Sequence, residues 1–360
     1  MTPLVHTVAM RATNAPRGEP GQRGQPAGHE RGADIGGGPT PGATWEPLAG
    51  PALLDRLRVT GRPRPVVDPD FIADLQAHLE SGLDDLSAAW ATADGGRWTI
   101  TKDRLTRALS CPMHRSADRS GERTLTLPLA CGALVGVLFR QLVTVGAVGD
   151  PMTDALDGLA VDDRQAPLVA WILALPDGER SELQAEVGRQ ARGLVDRWPA
   201  LEASWLPRTQ ETLRMVVAGG AVELATRVDL AVGRSADTEA TVALVEVTSG
   251  ARRPGHRDDL HFAALVETLR SAAPPFSVAT YYTRTGELDV EPVTNEMLVD
   301  AVRRTVAGAR GMVAGDAGSV DGARCAACAA VPRRTGATGR IETPTAPGPT
   351  VVPFPHGRAA

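Results

Sequence analysis

The hydrophobic period of this chain changes near Trp205, and that change limits the folds open to it more than any other feature. Upstream, apolar residues recur every three or four positions. Phe71, Leu75, Leu79, Leu83 and Leu86 form one such stripe, and an Asp-Pro start signal precedes it. The same spacing predicts helices near 102–110, 129–146, 152–160, 166–175 and 178–197. Downstream the period falls to two, which predicts strands near 211–218, 221–232, 241–248 and 277–284. Gly219-Gly220 supplies a tight turn between the first two strands. A helix at 257–272 lies between the last two strands, and a final helix spans about 295–312. A crossover helix between strands calls for a mixed sheet with helices packed on it. The expected fold is therefore α/β, a mixed sheet flanked by helices, with a helical N-terminal half.

The 360 residues, 42% of them hydrophobic, suffice for one substantial core. Residues 1–45 and 335–360 are crowded with Gly, Pro and Arg and read as disordered tails. No long apolar run stands out. The most apolar stretch, "LPLACGALVGVLF", stops at Arg140 and reads as a buried helix. With four cysteines and no apolar leader, the expectation is a soluble cytoplasmic chain without membrane contact, its thiols reduced or metal-bound. A net charge of -5 gives no global attraction to a polyanion, so nucleic-acid contact would need local clusters. Nearly all the positive charge is arginine; Lys102 is the single lysine.

Two acids fall near the ends of consecutive strands: Asp229 in "RVDLAVG" and Glu246 in "LVEVTSG". Such a pair can share a divalent metal. Glu246 follows Val242 and Leu244 on an apolar face, where an unpaired carboxylate is costly and a partner is expected. Thr248 points the same way as Glu246 because strand side chains alternate. In a divalent-metal hydrolase that third place usually holds a cation. Glu211 and Glu223 could assist at a metal, though an exposed strand face explains them equally well.

The second half resembles the PD-(D/E)XK nuclease superfamily, in its RecB-like and CRISPR-associated exonuclease branch. The resemblance covers about Glu211 to Arg310, with a weaker extension up to Trp98. It rests on Asp229, on Glu246 and Thr248 at the D/E-x-K positions, and on His261 in "HRDDLHFAAL", where members carry a DNA-meeting Gln or Tyr. The resemblance implies a restriction-endonuclease-like core over 206–315, a helical region over 46–205 packed on it, and a partial cysteine segment over 316–334. It also implies phosphodiester hydrolysis on DNA, as in DNA repair, with Mg2+ or Mn2+ held by Asp229, Glu246 and a backbone carbonyl, that of Val247. Asp229, Glu246, Thr248 and His261 become the candidate catalytic residues. The implied partners are a single strand or duplex end of DNA, and a helicase or other DNA-processing protein.

Three positions depart from the family pattern. Threonine replaces the lysine at 248, Gly136 stands where the branch has a histidine, and Arg334 stands where a last cluster cysteine would be. Cys111, Cys325 and Cys328 match three of the four cluster cysteines, so an iron–sulfur cluster is not expected. His114 could complete a zinc site instead, and Cys131 is explained as core. Lys102 lies far upstream in sequence, which leaves Arg252, Arg253, His256 and Arg257 as substitutes for the missing cation and as the candidate phosphate contacts. The departures set two readings side by side: a nuclease with impaired catalysis, or a non-catalytic nucleic-acid-binding or complex-building subunit.

Overall fold

Strong start signals open several of the helices in this chain, and most of them follow directly from sequence. In the computed structural model, residues 50–59, 61–65, 67–87, 97–109, 122–234, 240–316 and 351–353 are described, all within one unit, Trp45–Ala360. Helix α1 is Pro51–Leu57 and α2 is Pro69–Leu83, where the Asp68 carboxylate accepts from Asp70 N at 3.0 Å. Strand β1 (Trp98–Thr101) runs directly into α3 (Lys102–Leu109). After β2 (Glu122–Thr124) come α4 (Leu127–Val145), α5 (Pro151–Ala160), α6 (Ala166–Leu173) and α7 (Asp177–Arg197). Thr126 caps α4 and Asp150 caps α5, each just ahead of a proline in the first turn, where its missing N–H costs nothing.

The sheet elements are β3 (Arg208–Val217), β4 (Val222–Gly233) and β5 (Val242–Thr248), then α8 (Pro254–Ser271), β6 (Ser277–Tyr282), β7 (Glu287–Pro292) and α9 (Asn295–Asp316). Strand β8 (Val351–Pro353) pairs antiparallel with β2, so three residues of the tail expected to be disordered lie in a strand. Cys111, His114, Cys325, Cys328 and Arg334 lie outside the described residues.

The main sheet is six-stranded and mixed. β3 pairs antiparallel along one edge of β4 over Val222–Ala231. The opposite edge of β4 is shared. β1 lies parallel to it over Val222–Ala225, and β5 lies antiparallel over Leu230–Gly233. Because β1 runs with β4 and β5 runs against it, both present their C-terminal ends to the gap at residues 226–229. Beyond β5, β6 is parallel and β7 antiparallel. β1 and β7 are strands that sequence periodicity missed, and β1 carries the sheet into the half expected to be helical.

Helices cover both faces. α2, α3, α8 and α9 pack with Leu224, Val228, Ala231, Val242, Leu244 and Val278 on one side. On the other, α1 and α4 to α7 pack with Leu230, Val232, Ala243, Val245, Ala279 and Tyr281. Among the described residues, α4 is long and apolar enough to cross a membrane, but Ala130, Cys131, Leu134, Val135, Val137, Leu138 and Phe139 are buried in this second cluster. That burial takes in 39% of its apolar window, so one side of the helix faces the cluster and the rest is only partly covered.

Candidate active site

The gap on the edge of β4 holds a carboxylate pair and a lysine. Asp229 stands one step past the last ladder pair, Leu230–Val245, and in the same register it lies opposite Glu246. Directly opposed strand residues share a face. The pleat of β4 slips here: Val228 packs on one cluster and Leu230, two residues on, packs on the other. Opposite the slip, Gln210 of β3 adopts φ 55°, a left-handed conformation that costs a non-glycine residue about 1 kcal/mol or more. Its side-chain amide Nε2 donates to Asp229 Oδ1 at 3.0 Å.

The second oxygen of Asp229, Oδ2, accepts from Val247 N at 2.7 Å. Since the N–H and C=O of one strand residue point to the same side, the Val247 carbonyl also faces the gap. Thr248, one residue on, turns its carbonyl the other way, to Thr283 N at 2.9 Å. The Thr248 hydroxyl accepts from Gly250 N at 3.1 Å and so shapes the loop after β5.

Lys102 supplies what position 248 lacks. It is the first residue of α3, directly after β1, and its Nζ donates to Glu246 Oε1 and, at 3.1 Å, to the Arg227 carbonyl in the gap. Both side chains are largely shielded, 21% and 16% exposed. Close packing of α3 on α9 sets this reach: a Cβ on Gly308 would lie 2.5 Å from Leu105, and one on Gly311 would lie 3.0 Å from the Ala108 carbonyl. Thr106 Oγ1 donates to Asp259 Oδ1 of α8 at 3.0 Å and fixes the same helix from the side.

Electrostatics match this geometry. Burial pushes the Glu246 carboxyl up to about 8; Lys102 opposes the rise, and the charge of Asp229 and a hydrogen bond to it add to the rise. Burial also works against the Lys102 ammonium. The attraction and hydrogen bond of Glu246, with the charges of Asp229 and Asp259, outweigh that and hold it above its ordinary value. Two carboxylates beside one ammonium carry a net charge of -1 when all are ionised. A dication would relieve the crowding that burial imposes on them.

The donor set fits Mg2+ or Mn2+. Asp229, Glu246 and the Val247 carbonyl are hard oxygen donors, and each Asp229 oxygen has one protein donor and a lone pair to spare. Among the described residues no group of three or more His, Cys, Asp or Glu side chains is placed to hold a metal, and the carboxylates described at the gap are Asp229 and Glu246.

The remaining candidates lie elsewhere. His261 Nε2 is 3.3 Å from Glu291 Oε2 on β7, two strands from Glu246, so the structure brings it to the far edge of the sheet instead of to the acids. Arg257 pairs with the same Glu291, and Arg252 pairs with Asp289 at 2.9 Å and stacks 5.3 Å over the Tyr282 ring. His256 packs on Tyr282 at 5.9 Å. Burial holds its pKa below the usual value, with Arg253 and Lys102 adding to the effect. Arg253 forms no ion pair with the described residues. The cation that pairs with Glu246 among the described residues is Lys102, which was not among the four expected there. Glu211 and Glu223 pair with Arg208 and Arg214.

Sequence reasoning missed Lys102 because it measured distance along the chain. One signal was available: a single lysine among arginines, just after a β-rich "WTIT". Gly136, at the absent histidine, has no neighbour within 4 Å of an added Cβ. Cys131 is a buried thiol, its pKa pushed by burial to about 11, as a core residue should be.

No family model and no curated protein matches this chain. A solved structure described as "Crystal structure of SSO0001" aligns at 12% identity over 65% of this chain and 85% of that one, with a TM-score of 0.25.

Proposed function

We propose that this chain is a divalent-metal-dependent phosphodiesterase of PD-(D/E)XK type acting on DNA, with Lys102 in the role that the strand lysine usually plays. One observation carries the reading: the single lysine of 360 residues reaches the Glu246 carboxylate and the Arg227 carbonyl at the gap in the sheet. Asp229, Glu246 and the Val247 carbonyl would hold the cation.

A bound Mg2+ or Mn2+ supplies a polarised phosphate and a more acidic water. The protein does the rest. Gln210 and Val247 N–H hold Asp229 in place, and Lys102 orients Glu246. An ammonium has three N–H donors, and two are engaged, leaving one for a water or a phosphate oxygen. Such a preorganised donor is worth about 10²–10³ in rate where charge develops. The alternative, a binding-only subunit, drew on the absent cation at position 248, and Lys102 supplies a cation beside Glu246 from another strand end.

The test uses a 5′-labelled single strand with Mn2+. Cutting should require the metal and vanish in Glu246→Ala and Asp229→Asn. Binding without cutting by the unmodified chain would contradict the reading.

A further inference from the structure

A second feature opens on the same face of the sheet, one strand from Glu246. Glu246 of β5 is paired with Thr280 of β6, and Thr280 with Asp289 of β7, so a polar row crosses the sheet from Asp229 through Glu246 and Thr280 to Asp289. Neighbouring strands are about 4.8 Å apart, which places Thr280 directly beside the carboxylate pair. Over Thr280 lies a cavity of about 540 Å³, walled by Leu260 of α8, Val278 and Tyr282, with Arg252, Arg253 and Arg257 around it. That volume lies within the ~300–1,000 Å³ of small-molecule sites.

The lining has three kinds of surface. Leu260 and Val278 offer apolar contact, and Thr280 and Asp289 offer hydrogen bonds. The guanidiniums are suited to a phosphate. Two of them are already tethered, Arg252 to Asp289 and Arg257 to Glu291. Arg253 has no such tether among the described residues and is exposed. An apolar wall, a polar floor and several arginines in one compartment match a nucleotide and not a bare anion.

We infer that this cavity receives one unpaired nucleotide, the one adjoining the phosphate that a cation at Asp229 and Glu246 would hold, with its base and sugar over Thr280 and Val278 and its outer phosphate among the arginines. The choice of a nucleotide rests on the phosphodiesterase reading. Arg257 and Leu260 of α8 line one side of the cavity, and a compartment of this volume takes one nucleotide and not a base pair, so the substrate is an unpaired stretch or frayed end. Asp289 competes with that phosphate for Arg252, so it moderates affinity.

The test is calorimetric titration of the full chain, without divalent metal, with thymidine 5′-monophosphate, thymidine 3′-monophosphate, thymidine and inorganic phosphate. At least one monophosphate should bind more tightly than both thymidine and phosphate. Arg253→Glu, at an exposed position, should weaken that binding at least tenfold, and Asp289→Asn should tighten it severalfold. A misfolded variant would not produce that second sign. Phosphate binding as tightly as the nucleotides, or Arg253→Glu without effect, would overturn the inference. DNA cleavage without monophosphate binding would sink this inference alone. Monophosphate binding with the predicted signs, in a chain that never cuts DNA, would sink the phosphodiesterase reading and leave the cavity a nucleotide site.

Discussion

In the function proposed above, Lys102 and Thr248 divide between them what one side chain does in the D/E-x-K pattern. Thr248 keeps the strand position and spends its hydroxyl on Gly250 N, while Lys102 reaches Glu246 from the end of β1. Thr248→Lys should therefore give no gain in Mn2+-dependent cleavage, because a second ammonium at Glu246 meets the charge of the first. A large gain would mean that Lys102 does not serve the reaction. Away from the site, Cys131 gives a pH test. Burial raises its thiol to about 11, so Cys131, followed by peptide mapping, should react with iodoacetamide at pH 8 far more slowly in the native chain than in the unfolded one, where it titrates at about 8.5. Equal rates would mean that α4 does not pack as described.

The elements that were legible in sequence are those whose local signals agree. Asp68-Pro69, Thr126-Leu127-Pro128 and Asp150-Pro151 each join a capping side chain to a proline, and α4 ends on Gly146 at φ 82°. β1 was hidden because four residues are too few for alternation to register. β7 alternates Glu287, Asp289 and Glu291 with Leu288 and Val290, yet its acids and Pro292 read as a loop. Asp229 and Glu246 were legible because their strands fix their faces. Lys102 was not, since its contact depends on β1 and β5 sharing one edge of β4, a tertiary fact. The seating of α3 on α9 can be tested at Gly311. Gly311→Ala places a methyl 3.0 Å from the Ala108 carbonyl, which should cost about 1 kcal/mol by overpacking. Cleavage should fall further, by up to ~10²-fold, as Lys102 moves off Glu246. An active, slightly destabilised variant would show that α3 does not position the lysine.

Across the whole molecule the two helical layers meet in one sheet, so the upstream half bears on the site even where it adds no catalytic group. Trp198, just after α7, stands edge-on between Phe139 of α4 at 4.7 Å and Tyr281 of β6 at 4.9 Å. Gln190 of α7 accepts from the Thr283 hydroxyl, and the Thr283 N–H donates to the Thr248 carbonyl at the end of β5 at 2.9 Å. Trp198→Ala should cost roughly 3–5 kcal/mol in urea unfolding. Trp198→Phe should cost less than Trp198→Ala, since it keeps a ring and removes an indole N–H that has no hydrogen-bond partner among the described residues. Equal losses would show that the ring contacts are not what joins helices to sheet. The mixed α/β layering was legible from the change of period at Trp205; the way two strands divide one edge of β4 was not, because β1 is short and pairs with β4 from far upstream in sequence.

The account turns on Lys102 acting with Asp229 and Glu246, and single-turnover cleavage of a labelled single strand by Lys102→Met tests it most directly. The rate with saturating Mn2+ should fall by about 10²–10³ while DNA binding stays near that of the unmodified chain. Unchanged cleavage in Lys102→Met would contradict the account.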